Sequence, residues 1–270
     1  MWDRESGEEV RAIEHSDERV CGVGFSPEGE RLATGGTEGV VRVWEIGSGA
    51  MLQSFEHFGP ISGVAFSPDG RRILVGVGER GDAEKPGEAV MWDLESGDRL
   101  RTLPHDLVVW SVAFSSDGTR FVTGCGDEIA RVWDAQSWEE IVVLEGHEHW
   151  VTSVVFSSDG TRIGTASHDR TGRIWDAVTG ETQLVLEGHT DSVRSVAFSP
   201  DGSRLVTGSA DRTARIWETG TGQEVLALHG HTHEVWAVAV SADGQWIASG
   251  AVGTDATAKL WYAPAPAGGK

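Results

Sequence analysis

The chain has 270 residues, 39% of them hydrophobic, with 36 glycines, 12 tryptophans, two cysteines and a formal charge of −20 at pH 7. Such a composition can bury a core, offers no apolar run long enough to span a bilayer, and carries an acidity that repels nucleic acid and anionic lipid. Cys21 and Cys125 lie in different parts of the chain and no basic, then apolar, then small-residue leader opens it, so the reading is a cytoplasmic protein without disulfides.

Trp2, Trp44, Trp92, Trp133, Trp175, Trp217 and Trp261 follow one another at intervals of 42, 48, 41, 42, 42 and 44 residues, the mark of one structural unit copied along the chain. Trp2 has too little before it to complete a strand, and residues 8–14 then read as a lone strand. The units that follow share one grammar, clearest in the fifth, where VRSVAF, RLVTG and ARIW are three short β-rich runs. Ser199, Pro200, Asp201 and Gly202 join the first two as a hairpin, proline setting φ and glycine tolerating positive φ. Equivalent turns stand at Ser26 to Gly29, Ser67 to Gly70, Ser115 to Gly118, Ser157 to Gly160 and Ser241 to Gly244, which gives six three-strand sets. A fourth strand such as TQLVL or EVLAL leads from each set to the next Gly-His pair. The last set ends at Trp261, and the Pro- and Gly-rich tail, expected to be flexible over 263–270, offers no fourth strand.

Gly-His, an FSPDG-like turn and Trp-Asp, at about forty residues per unit, resemble the WD40 family of β-propellers from Trp2 to Trp261. The resemblance implies an all-β fold: a single β-propeller of four-stranded antiparallel blades, a to d, set radially. Six blades are expected near residues 20–56, 57–104, 105–145, 147–187, 189–229 and 231–262, in a domain spanning 1–262. Residues 8–14 would close the ring on the last blade. Seven blades are the alternative, because Trp2 looks like the end of a further unit cut at a repeat boundary.

The resemblance also implies a hydrogen-bonded tetrad in most blades: His105, Thr123, Asp127 and Trp133; His147, Thr165, Asp169 and Trp175; His189, Thr207, Asp211 and Trp217; His231, Ser249, Asp255 and Trp261. A hydroxyl, an imidazole and a carboxylate together look like a nucleophilic triad. Repetition argues for structure, since an enzyme needs one such site and a ring needs one brace per blade, so no catalytic residue is expected. Blade 1 keeps His15, Thr34 and Trp44 with Glu38 in place of aspartate, and blade 2 has Val75 at the hydroxyl position, so both should be less rigid.

Other motifs favour plain readings. Gly76, Gly78 and Gly81 spell GxGxxG in the blade 2 insertion, but Pro86 and Gly87 follow where a dinucleotide cradle needs a helix, so a long top-face loop is expected. The histidines at 147 and 149, and at 229, 231 and 233, lack accompanying metal-site spacing, and neither metal nor cofactor is expected. Cys125 reads as a small buried filler.

Five tryptophans are not required by the repeat: Trp110, Trp138, Trp150, Trp236 and Trp246. Aligned on the phenylalanine ahead of the hairpin turn, the residue four positions earlier is Cys21, Ser62, Trp110, Thr152, Arg194 and Trp236. In the family this position faces the top mouth of the channel, which would set Trp110 and Trp236 opposite each other with Arg194 between and Trp150 in a neighbouring loop. Tryptophan and arginine are enriched at binding hot spots, so Trp110, Trp150, Trp236 and Arg194 are the candidate partner contacts. Trp138 and Trp246 should lie toward the bottom or rim. The function expected is a non-catalytic scaffold, monomeric, presenting its top face to a protein or peptide, with basic segments favoured. It would suit the sensing end of a larger signalling protein. The alternative is a six-bladed hydrolase with a channel-bound metal, which would need inward carboxylates or histidines at the mouth.

Overall fold

The computed structural model describes residues 6–13, 19–78 and 85–263. Trp2, Glu14, His15, Gly81 and the tail beyond Ala263 lie outside the described residues. Blade 1 is β1 (Val20–Phe25), β2 (Arg31–Gly36), β3 (Val40–Glu45) and β4 (Met51–Glu56). Blade 2 is β5 (Ile61–Phe66), β6 (Arg72–Val77), β7 (Gly87–Asp93) and β8 (Arg99–His105). Blade 3 is β9 (Val109–Phe114), β10 (Arg120–Cys125), β11 (Ala130–Asp134) and β12 (Glu140–Leu144). Blade 4 is β13 (Val151–Phe156), β14 (Arg162–Ser167), β15 (Gly172–Asp176) and β16 (Thr182–Leu186), and blade 5 is β17 (Val193–Phe198), β18 (Arg204–Ser209), β19 (Thr213–Glu218) and β20 (Glu224–His229). Blade 6 holds β21 (Val235–Val240), β22 (Trp246–Ala251) and β23 (Ala258–Tyr262). Each blade is an antiparallel meander in chain order, and together they form a six-bladed β-propeller.

Each a-to-b hairpin is locked by its serine. In blade 5 the Ser199 Oγ accepts the Arg204 N–H at 2.9 Å and donates to Asp201 at 2.6 Å, while Gly202 takes φ of 68°. The pattern recurs through Ser115 and Asp117 in blade 3, and through Ser157 and Asp159 in blade 4. The serine hydroxyl is the main reason that the Asp117 and Asp159 carboxyls are held down at about 2.

The arginine that opens strand b then ties its blade to the next. Arg120 donates to Gly160 O at 2.7 Å, Arg162 to Gly202 O at 2.7 Å and Arg204 to Gly244 O at 2.7 Å. The same side chains stack on the next blade's phenylalanine, Arg120 over Phe156 and Arg162 over Phe198, both at 5.5 Å. Apolar clusters fill the junctions from blade 1 to blade 6. Val43 and Phe55 meet Phe66 and Trp92 between blades 1 and 2, and Ile216 and Leu228 meet Val235 and Ile247 between blades 5 and 6. The core therefore lies between blades, as the alternation of apolar residues along each strand requires.

The expected closing strand over 8–14 is not seen among the described residues. Within residues 6–13 only Glu9 makes a bridge, and the sheet of blade 6 has three strands among the described residues. Arg11 instead donates to Ser48 O at 2.5 Å and Gly47 O at 2.7 Å, which holds the segment against the turn between β3 and β4.

Candidate functional site: the braces and the channel mouth

The tetrads were the feature most easily mistaken for chemistry. In blade 4 the Trp175 indole N–H donates to Thr165 Oγ1 at 2.8 Å, that hydroxyl donates to His147 Nε2 at 2.6 Å, and His147 Nδ1–H donates to Asp169 Oδ2 at 2.6 Å. The carboxylate can only accept, which fixes the tautomer. Blade 5 repeats the chain through Trp217, Thr207, His189 and Asp211 at 2.8, 2.7 and 2.7 Å. Blade 6 repeats it through Trp261, Ser249, His231 and Asp255, with the last contact at 3.2 Å. In blade 1, Trp44 donates to Thr34 at 2.8 Å while Glu38 pairs with Arg42.

Burial opposes ionisation of Asp169 and Asp211, yet hydrogen bonds from His147 and Thr171, and from His189 and Thr213, outweigh it and hold both carboxyls well below the usual range. Burial likewise pushes His147 down, so its imidazole is neutral at pH 7. A hydroxyl committed to indole and imidazole on both sides, beneath buried side chains, is a brace.

Blade 3 departs from the expected tetrad. Trp133, Thr123 and His105 are joined at 3.0 Å each, but His105 Nδ1 donates to Leu103 O, and Asp127 pairs with Arg131 at 2.7 Å. The cause is local. Pro104 replaces a glycine that takes φ of 142°, 151° and 153° at Gly146, Gly188 and Gly230, so β8 runs on through His105 and turns the ring away. Ile129 also replaces the threonine that fixes the aspartate in blades 4 and 5, where Thr171 and Thr213 donate to Asp169 and Asp211. Asp127→Ala is accordingly expected to lower Tm less than Asp211→Ala, because Asp127 makes no hydrogen bond to the histidine of its blade. Blade 2 recovers a partner that sequence reasoning missed: the Gly59 N–H donates to His57 Nδ1 at 3.1 Å, and His57 Nε2–H donates to Glu88 at 3.2 Å. The insertion before β7 shifts Glu88 out of alignment, so spacing gives no signal for it.

Above the braces, strand a of every blade lines one central cavity of about 610 Å³. Cys21, Ser62, Trp110, Thr152, Arg194 and Trp236 all lie on its wall. The register of each a–b ladder skips exactly one residue there: Val193 and Ser195 pair around Arg194, and Val235 and Ala237 around Trp236. A β-bulge thus lifts this side chain out of the ladder and re-aims it. Ser62 and Thr152 instead bond backbone, Thr152 Oγ1 reaching Val193 O at 2.7 Å.

Trp110, Trp150, Arg194 and Trp236 are drawn together as a continuous arc. Trp110 stacks on Trp150 with centroids 5.4 Å apart, Trp150 lies 5.0 Å from the His168 ring, His168 accepts from Arg194, and the Arg194 guanidinium sits 4.6 Å over Trp236. Trp110 is therefore engaged with its neighbour in blade 4. Glu234 anchors Arg194 at 3.1 Å, and burial with the Arg194 charge pushes His168 down to about 4, leaving it neutral. His168 was not anticipated, because nothing in its spacing separates it from a turn residue. This part of the wall is aromatic, with the Arg194 guanidinium fixed within it, and Arg19 also lines the cavity.

The remaining candidates have plain roles. Trp138 takes φ of 67°, at the turn position held by glycine in other blades, and packs on Phe121 at 5.7 Å. Trp246 packs on Tyr262 at 5.2 Å. Gly76 lets Val109 O approach to 2.5 Å of where a Cβ would stand, so the first of the clustered glycines serves blade packing. Cys125 is buried, its thiol pushed up to about 12 by burial. His147, His149, His231 and His233 spread their contacts over Asp169, Trp150, Asp255 and Thr254, and no group of three or more metal-binding side chains converges among the described residues. No helix among the described residues is long and apolar enough to cross a membrane.

No curated protein matches the chain. The family model for the WD domain, G-beta repeat, matches residues 7–45, 49–82, 97–134, 138–176, 180–218 and 222–262. With six matched repeats and six radial β-meanders, four of them braced by indole, hydroxyl and imidazole among the described residues, the chain belongs to the WD40 repeat family.

Proposed function

We propose that the ring is a non-catalytic interaction module that takes a protein or peptide segment at the channel mouth. The observation that carries this reading is the arc of Trp110, Trp150, His168, Arg194 and Trp236, contributed by blades 3 to 6 and open to the cavity. Flat side chains already packed against one another lose little freedom when a partner covers them, which is the property of a hot spot. Opposite them the wall is low, with Gly22, Val23, Gly63 and Val64, so an entering side chain has room to reach the arc. WD40 propellers generally serve as scaffolds for proteins or peptides, and the charge of −20 favours a partner with basic surroundings. A hydrolytic channel metal would need inward carboxylates or histidines; of these, His168 lines the cavity among the described residues, where it accepts from Arg194, and no group of three such side chains converges there.

Affinity capture from cytosol of the source organism, with wild type beside a folded Trp110→Ala, Trp236→Ala variant, tests the reading. Partners held by wild type should be lost by the variant, by at least the tenfold expected when a hot spot worth about 2 kcal/mol is removed. Equal retention by both chains would move the function to another face.

A further inference from the structure

Strand a is the inner edge of each blade, so alternate N–H groups along it have no partner within their own sheet. Blades 3 to 5 answer this with a serine directly after the bulge. Ser111 Oγ accepts the Val154 N–H of the next blade at 3.2 Å, Ser153 Oγ that of Val196 at 3.3 Å, and Ser195 Oγ that of Val238 at 3.1 Å. In blades 1, 2 and 6 the same position holds Gly22, Gly63 and Ala237. A hydroxyl that accepts still has its own proton to give. All three serines line the cavity, and among the described residues none of them donates to the protein.

The charges point the same way. The chain has 42 Asp and Glu against 22 Lys and Arg, yet the charged side chains lining the cavity among the described residues are Arg19 and Arg194. Arg194 is offset by Glu234, whereas Arg19 is exposed and makes no ion pair among the described residues. Two arginines less one glutamate leave a single positive charge at the mouth. His168 accepts from Arg194 through Nε2, so the proton of its neutral ring sits on Nδ1 as a further donor. An ammonium or guanidinium entering here would meet like charge and no carboxylate. A phosphate, at about −2, would exceed the charge available. A carboxylate is a planar monoanion that can only accept, and it matches both the charge and the donors. A cavity of about 610 Å³ has room for one such side chain with its flanking backbone.

We propose that the mouth takes a carboxylate: the partner segment inserts an acidic side chain, or its own C-terminus, between Arg19, Arg194 and the hydroxyls of Ser111, Ser153 and Ser195. This rests on the reading that a partner enters at the mouth, and it names what is inserted. The Trp110 and Trp150 stack covers the stem of the anchor, and the acidic ring outside favours basic neighbours, so the expected motif is one acid among bases.

Two display libraries of short randomised peptides test this, one fused through its C-terminus, so that only side chains carry carboxylates, and one with its C-terminus free. Selected on the wild-type chain, the first should enrich one Asp or Glu at a fixed position among Lys and Arg. Enrichment of the second library alone, without such an acid, would support the proposal with the C-terminus as the source. Converting that carboxylate to its amide in a selected peptide should weaken binding to wild type at least about tenfold, and binding to an Arg19→Gln, Arg194→Gln chain less than about threefold. Arg19→Gln alone leaves the Arg194 and Glu234 pair intact and should by itself weaken the acidic peptide about threefold, which keeps the test decisive if the double variant does not fold. Selected peptides that need Trp110 and Trp236 but carry no carboxylate, or whose amides bind as well, would overturn the proposal and leave the mouth as the docking site. Peptides held equally by the Trp110→Ala, Trp236→Ala variant, or no enrichment from either library, would overturn both.

Discussion

A Trp217→Ala chain is expected to lose about 3–5 kcal/mol of stability, the cost of deleting a large buried aromatic. Trp217 is buried, at the junction where Ile174 and Leu186 of blade 4 meet Phe198 and Leu205 of blade 5. Its removal opens a cavity between two blades and also leaves Thr207 Oγ1 without the indole N–H it accepts at 2.8 Å. For a domain of this size the loss corresponds to a fall in Tm of roughly 6–20 °C. Trp217→Phe keeps most of the apolar volume and should cost about 1–3 kcal/mol, the penalty for stranding a buried polar partner. Denaturant melts of the two variants separate packing from hydrogen bonding. An alanine variant that melts like the parent would contradict the assignment of the tetrad as a brace.

Acid is expected to unfold the ring in two stages. His105 and His147 are pushed below 6.5 by burial, and His168 to about 4. A group whose pKa is depressed on folding contributes stability that is fully present above its unfolded value and is lost as pH falls toward the folded one. The histidines therefore contribute fully above about pH 6.5 and lose that contribution between there and pH 4. Asp169 and Asp211, also depressed, contribute fully above about pH 4 and lose it at still lower pH. Tm should be level above pH 7 and decline below pH 6. Asp211→Ala, expected to cost about 1–3 kcal/mol at pH 7, should flatten the most acidic part of the profile. A Tm that rises on acidification through pH 6 to 4 would contradict the burial of neutral imidazoles.

The repeat made most of the fold legible. Tryptophan spacing and the Ser-to-Gly turns gave the blades, because each unit solves the same packing problem with the same residues at the same offsets. Where a unit breaks that grammar, spacing misleads. Asp127 lies the same 22 residues beyond its histidine as Asp169 and Asp211 do, yet Pro104 and Ile129 undo the contact, and a proline in place of a left-handed glycine is a backbone effect that alignment does not register. Arg194 and the two mouth tryptophans were legible because a β-bulge falls at one place in all six ladders. His168 was not, since only the folded ring brings it from a turn of blade 4 to Arg194 of blade 5. Residues 8–14 read as a lone strand, whereas the described part of that segment makes only a bridge at Glu9, because pairing depends on which blade edge lies beside it, and that is a property of the whole ring.

Partner binding at the mouth is tested most directly by hydrogen–deuterium exchange of the chain with and without its captured partner. Slower exchange confined to strand a of blades 3 to 6 and to the turn carrying His168 is the predicted result. Protection confined to the outer strands β4, β8, β12, β16 and β20, with the mouth unchanged, would contradict it.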